Sequence, residues 1–158
     1  MSDPAGILCA GTILVDAGKV IDAYPDLDHF ATIEHVSLST GGPGLNMAVD
    51  LRMLGAAFPI AMIGAIGDDE HGAFLLAECA RLGIGTAGVR TLAGAVTSFT
   101  DAMVERAGGR RTMFHHSGAN ARFDASAADL ESSGARMLHA GAPGIHPIMD
   151  SRLPGGDN

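Results

Sequence analysis

Short apolar runs alternate with stretches of helical period along most of the chain. Ile7 to Ala10 is an unbroken apolar run closed by Gly11, the pattern of a buried strand. Thr12 to Val15 is a second run, ending on Asp16. Val20-Ile21-Asp22-Ala23-Tyr24 and Ala31 to Leu38 predict two further strands, the later one with Ile33, Val36 and Leu38 as apolar members. Pro25-Asp26-Leu27-Asp28 supplies the turn between them. The breaker cluster Gly41-Gly42-Pro43-Gly44 then predicts a helix start. Met47, Ala48, Leu51 and Leu54 recur on one face of that helix, Asn46 and Asp50 share another, and Gly55 stops it.

Ile60 to Ile63 is again strand-like, and Asp68 or Asp69 can cap the helix after it. Leu75, Cys79 and Leu82 line that helix, and Gly83 ends it. Thr97 to Val104 and Arg111 to His116 predict a hairpin turning at Ala107-Gly108-Gly109. Ala125 to Ser133 reads as a short helix, Met137 to Ala140 as a buried strand, and 151–158 as a frayed end. Strands alternating with helices predict an α/β sheet. The helix-free strands at about 20–38 and 97–116 predict a separate small sheet. No repeat or internal linker interrupts the chain.

Composition narrows the function classes. Of 158 residues, 47% are hydrophobic and 18% charged, a globular balance. Aromatic side chains are scarce, so Ala, Val, Ile, Leu and Met must build the core; Met47, Met53 and Met62 read as core filler. A formal net charge of −8 argues against a nucleic-acid partner. No stretch is long and apolar enough to cross a bilayer. Met1-Ser2-Asp3-Pro4 lacks the basic and apolar regions of a signal peptide, so a cytoplasmic protein is expected. Cys9 and Cys79 lie in apolar surroundings and read as buried thiols.

Three segments could carry chemistry. Gly41-Gly42-Pro43-Gly44-Leu45-Asn46 places glycines, which let a ligand approach the backbone, before a helix start whose N–H groups are unpaired. Asn46 adds an amide that both donates and accepts, which suits a sugar hydroxyl. The hexamer reads equally as a plain Gly-rich turn. Gly64-Ala65-Ile66-Gly67-Asp68-Asp69-Glu70-His71-Gly72 sets acidic residues between strand and helix, where capping is the better reading than metal binding. Asp16 closes an early strand, where a carboxylate can accept hydrogen bonds from paired hydroxyls. His115 and His116 are adjacent in a strand and so point to opposite faces, which argues against a shared metal. Arg110 and Arg111 read as a solvated hairpin end. No P-loop and no dinucleotide fingerprint occurs.

Taken together, Gly41 to Gly72 resembles the N-terminal signature of the PfkB kinases: a Gly-Gly turn, Asn, an Ala-Val helix ending Leu-Gly, a strand, then Gly-x-x-Gly-Asp-Asp-x-x-Gly. Cys9 to Asp16 is similar to the family's first strand with its substrate Asp. Thr97-Ser98 through Gly109-Arg110-Arg111-Thr112 to Gly118-Ala119-Asn120 is similar to its hairpin and Gly-Ala-Asn close. His139-Ala140-Gly141-Ala142-Pro143-Gly144 resembles the strand that borders the sugar pocket. The resemblance covers about residues 6–150.

The resemblance implies a ribokinase-like, Rossmann-type central sheet flanked by helices, with a small β-sheet lid from the strands at about 16–40 and 97–117. It implies one domain over 1–150 and transfer of the ATP γ-phosphoryl, with Mg²⁺, to a hydroxyl of a sugar, sugar phosphate or nucleoside. It implies substrate contacts at Asp16, Gly41, Gly42 and Asn46, further contacts at Thr97 and Asn120, and a homodimer through the lid. The family's catalytic base and anion hole belong to Asp-Thr-x-Gly-Ala-Gly-Asp in its second half. That hallmark is absent here, so the resemblance puts no catalytic residue and no main ATP site in this chain and implies a truncated, inactive piece. One alternative is a non-catalytic remnant that binds sugar or dimerises. Ribokinases proper carry Asn two residues before the substrate Asp; Leu14 stands there instead, which makes ribose an unsafe guess.

Overall fold

The computed structural model describes residues 5–141, 146–148 and 151. Among the described residues the strands form two four-stranded sheets. The first consists of β1 (Ile7–Gly11), β4 (Ile60–Gly67), β5 (Gly85–Leu92) and β8 (Met137–Gly141), all parallel, in the order β5-β4-β1-β8. The second consists of β2 (Leu14–Ile21), β3 (Ile33–Gly41), β6 (Phe99–Glu105) and β7 (Arg111–His116), in the order β3-β2-β6-β7. Its β2–β3 and β6–β7 pairs are antiparallel, and its central β2–β6 pair is parallel.

Parallel strands need crossovers, and helices supply them. Helix α1 (Pro43–Met53) leads into β4, and α2 (Glu70–Arg81) leads from β4 into β5. Both cover one face of the first sheet. There Cys9, Met62 and Ile66 pack with Leu45 and Ala48 of α1 and Leu75 and Cys79 of α2. Each large apolar side chain wholly buried here contributes about 1.5–3 kcal/mol. The alternate positions Leu8, Ala10, Ile63 and Ala65 face the other way and meet Ala119 and Phe123 near the 3-10 turn Gly118–Arg122. A short helix, α3 (Ala127–Ser132), opens with a capping box between Ser126 and Asp129. Among the described residues no helix is long and apolar enough to cross a membrane.

Several expectations need correction. Leu14-Val15 of the first run and Val20-Ile21 of the second belong to one strand, β2, with Thr12-Ile13 and Asp22-Ala23-Tyr24 outside it, and Asp16 lies inside that strand rather than at a strand end. Ala17-Gly18-Lys19 hid this continuity from the apolar pattern, but pairing on both sides holds it extended. In α1 the buried positions are Gly44, Leu45 and Ala48, while Met53 and Leu54 are exposed, because the helix packs on the sheet by its first two turns. β5 was not expected, since Gly85-Thr86-Ala87-Gly88 carries no apolar run. Met137 and Leu138 are half exposed rather than buried. β8 is an edge strand, with β1 as its one partner among the described residues. The motif residues Ala142, Pro143 and Gly144, and all of the expected frayed tail except Ser151, lie outside the described residues.

Candidate substrate site

The second sheet runs into the first where β3 ends and α1 begins. Two glycines make that junction. Gly42 is the N-cap of α1 with φ 90°, in the left-handed region that strains any other residue. A side chain there would also stand 2.4 Å from the Thr12 carbonyl oxygen. Gly41 pairs with Leu14 across β2 and β3, and its missing side chain leaves room for the Asp16 carboxylate. A Cβ on Gly41 would stand 2.1 Å from Asp16 Oδ2. Asp16 therefore lies directly over the glycine that precedes the helix start.

Among the described residues no side chain caps α1; Pro43 opens it without an N–H, and Leu45 N–H donates to the Thr12 carbonyl at 3.4 Å. Asn46 is exposed one turn in, and its side-chain amide makes no hydrogen bond among the described residues. A carboxylate acceptor, an amide that donates and accepts, and a helix N-terminus thus border the same junction. This set suits a polyhydroxyl ligand, because hydroxyls donate to the carboxylate and accept from N–H groups.

Burial raises the Asp16 carboxyl above its ordinary value. Leu14 is buried on the same face two residues away and removes water from one side. His115, a hydrogen bond from the Thr100 hydroxyl, and Arg111 oppose that rise. His115 and His116 do point to opposite faces of β7. His115 approaches Thr100, whereas His116 stacks on Phe99, whose other contact is the ring of His71.

Thr97 and Asn120 are placed differently from Asp16 and Asn46. Both are buried, and their side chains hold backbone together. Asn120 Nδ2 donates to the Ile13 carbonyl at 2.9 Å, and its Oδ1 accepts from Ile13 N–H. Thr97 Oγ1 accepts from Gly67 N–H at 2.8 Å and donates to Asp69. The Asn120 bonds hold Ile13, the residue before the strand that carries Asp16, whereas the Thr97 bonds tie the end of β4 to the N-cap of α2.

The acidic motif is likewise structural. Asp69 caps α2 by accepting from Gly72 N–H, and it also accepts from Thr97 N–H and the Thr97 hydroxyl. Burial alone would raise its carboxyl, but these hydrogen bonds outweigh that and hold it below the ordinary carboxylate value. Asp68 accepts from Gly94 N–H. Both carboxylates are committed to the loop, and among the described residues no three His, Cys, Asp or Glu side chains group to hold a metal ion.

Sequence reasoning passed over Thr100 and His115 as site residues. The expected three-residue turn sets Thr100 opposite His116, whereas the observed register pairs it with His115. The local pattern also could not supply the parallel pairing of β6 with β2, which brings Thr100 beside Asp16.

Fold and junction together define a ribokinase-like α/β protein. The chain superposes on ribokinase from Thermotoga maritima with a TM-score of 0.79 at 20% identity, covering 92% of this chain and 47% of that one. Ribokinase from Giardia lamblia gives 0.76 at 24% identity, over 86% of this chain and 44% of that one. Ribokinase from Arabidopsis thaliana, solved with ribose and ATP, gives 0.74 at 23% identity, over 86% and 45%. Residues 6–150 match the pfkB family of carbohydrate kinases, and the chain belongs to that family. A curated relative, the ATP-dependent ribose-1-phosphate kinase of Halopiger xanaduensis, is 28% identical over 99 residues, which are 63% of this chain and 33% of the relative. The chain thus spans less than half the length of these relatives.

Proposed function

We propose that this chain is the substrate-side half of a PfkB-type kinase that transfers the γ-phosphoryl of ATP to a hydroxyl of a sugar, sugar phosphate or nucleoside. The observation that carries this is the Asp16 carboxylate lying over Gly41 at the uncapped start of α1. Asp16 accepts a pair of ligand hydroxyls. Gly41 and Gly42 keep the backbone bare beside them, and Asn46 fixes the ligand's orientation. Such positioning is a large part of phosphoryl-transfer catalysis, because the transition state needs the acceptor hydroxyl in line and held still. Asn120 acts indirectly, by anchoring Ile13 ahead of the Asp16 strand, and Thr97 by fixing the loop between β4 and α2. Leu14 beside Asp16 favours a ligand less polar at that point than ribose.

The family's Asp-Thr-x-Gly-Ala-Gly-Asp hallmark does not occur in these residues. A general base and an amide anion hole each contribute orders of magnitude to rate. Phosphoryl transfer therefore belongs to a protein that also carries that half. ATP and Mg²⁺ would bind there, beside the anion hole of that half.

The second sheet acts as a lid over the ligand. Asp16, Thr100 and His115 occupy one of its faces. The opposite face carries Ile33, Val36, Leu38 and Phe114, all about half exposed. It also carries a hollow of about 310 Å³ between Ile21, Tyr24, Pro25, Ala31, Ile33, Met103 and Phe114. This apolar face supports a homodimer through the lid, and it equally supports the alternative of a non-catalytic binding or dimerising piece.

Calorimetric titration of the chain with ribose, ribose 1-phosphate, fructose and adenosine, beside an ADP-release assay, tests the proposal. We expect binding of at least one compound, weakened about tenfold or more by Asp16→Ala and by Asn46→Ala, and no turnover. Turnover by the chain alone, or binding indifferent to both substitutions, would contradict it.

A further inference from the structure

The chain leaves the first sheet for the second at Thr12-Ile13, between β1 and β2, and returns at Gly41-Gly42, between β3 and α1. Ser98 precedes β6, and Ser117 follows β7. These crossings meet in a buried polar knot. Asn120 grips both backbone groups of Ile13, and its own N–H donates to Ser98 Oγ at 3.1 Å. The Ser98 hydroxyl donates to the Ser117 carbonyl, and the Ser98 carbonyl accepts from Val15 N–H at 3.0 Å. His146, from the segment after β8, joins this knot. Its Nε2 lies 3.0 Å from Thr12 Oγ1 and its Nδ1 lies 3.4 Å from the Asn120 carbonyl oxygen. Its ring meets Phe123 edge to face at 5.6 Å. Thr12 is wholly buried and His146 is 4% exposed, so water is a poor substitute for either partner.

The direction of these bonds follows from the proton count. A carbonyl oxygen can only accept, so His146 Nδ1 carries the proton. In the neutral ring Nε2 is then the acceptor, and the Thr12 hydroxyl donates to it. Thr12 is thereby held through its side chain while its backbone meets the candidate substrate site. The Thr12 carbonyl accepts from Leu45 N–H in the first turn of α1. It also lies so close to Gly42 that a Cβ there would stand 2.4 Å from it. Thr12 is thus the point at which the link into β2, the strand of Asp16, touches the start of α1, the helix of Asn46.

We propose that His146 is a positioning residue that pins Thr12 against the start of α1 and so fixes Asp16 relative to Asn46. The ligand's part in this rests on the substrate-binding role proposed above; the pin itself does not.

Residual dipolar couplings of the backbone amides in the 158-residue chain test the pin with no ligand present. In the wild type the amides of both sheets should fit one alignment tensor. His146→Phe keeps a ring beside Phe123 and loses both hydrogen bonds, and Thr12→Val keeps the shape of Thr12 and loses its hydroxyl. In each the second sheet should need a tensor of its own, and Thr12→Ser should restore the single fit. The ¹⁵N imidazole spectrum of the wild type at about pH 8 should place the His146 proton on Nδ1. Each form is then titrated with ribose, ribose 1-phosphate, fructose and adenosine, well below its melting temperature. A compound that binds the wild type should bind His146→Phe and Thr12→Val about tenfold more weakly and Thr12→Ser normally. A single tensor in Thr12→Val and His146→Phe overturns the proposal, as does a wild-type His146 proton on Nε2 alone. Decoupled sheets with unchanged affinity would overturn the positioning role. Thr12→Val preserves volume, so it decides the matter if His146→Phe does not fold. Should the sheets decouple as stated while no form binds any of the compounds, the pin stands and the substrate reading falls.

Discussion

Gly41→Ala puts a methyl group where the Asp16 carboxylate lies. The new Cβ would stand 2.1 Å from Oδ2, 2.6 Å from Cγ and 2.6 Å from Leu14 Cδ1. Carbon contacts are comfortable at roughly 3.5–4.0 Å, so the carboxylate or β3 must give by more than about 1 Å. Overpacking of this kind costs about 1–3 kcal/mol. For a chain of this size that lowers the melting temperature by roughly 3–10 °C. Displacement also moves the acceptor off the proposed ligand, so sugar binding should weaken about tenfold or more. Calorimetric melts and titrations measure both effects. A double variant isolates the cause: Asp16→Ala removes the obstructing carboxylate, so Gly41→Ala should cost less in that background. Recovery should be partial, because Leu14 still crowds the methyl group. A Gly41→Ala protein with wild-type melting and binding, or strict additivity in the double variant, would refute the packing argument.

Asp16 and Asp69 should respond to pH with opposite signs. Asp16 is raised in the folded chain by burial. Stability should therefore fall as pH climbs from the unfolded carboxylate value through the folded one, and Asp16→Asn should melt higher than wild type at neutral pH while binding sugar less well. Asp69 is lowered, burial notwithstanding, by its hydrogen bonds from Thr97 and Gly72. Its contribution is present above the unfolded value and is lost as pH falls through the folded one. Asp69→Ala should cost about 2–4 kcal/mol at neutral pH, with the gap to wild type narrowing in acid, as chemical denaturation across pH would show. Burial pushes the Cys9 and Cys79 thiols up to about 11, with Glu78 adding to the rise at Cys79. A thiol reagent at pH 7.5 should label neither cysteine in the folded chain and both in denaturant.

The sequence made the first sheet legible because β1 and β4 are unbroken apolar runs and α2 has a clean stripe of Leu75 and Cys79. β5 was not legible, since it is held by hydrogen bonds to β4 and carries few apolar side chains of its own. The site divided along the same line. Asp16, Gly41, Gly42 and Asn46 could be named from motif order, because a turn and a helix start are local. The roles of Thr97 and Asn120 depend on which backbone groups they reach, Gly67 in one case and Ile13 in the other. Those partners lie 30 and 107 positions away in the chain, beyond any local pattern. The exposed Met137 and Leu138 show the converse: an apolar run predicts a strand but not what covers it.

The most direct test of the account is a backbone amide NMR titration of the chain with each of ribose 1-phosphate, ribose, fructose and adenosine. The account predicts that at least one of them shifts the resonances of Asp16, Gly41, Gly42 and Asn46 together, and that the shifts vanish in Asp16→Ala. Shifts centred elsewhere, or a full response in the Asp16→Ala protein, would contradict the placement of the substrate site at the junction of β3 and α1.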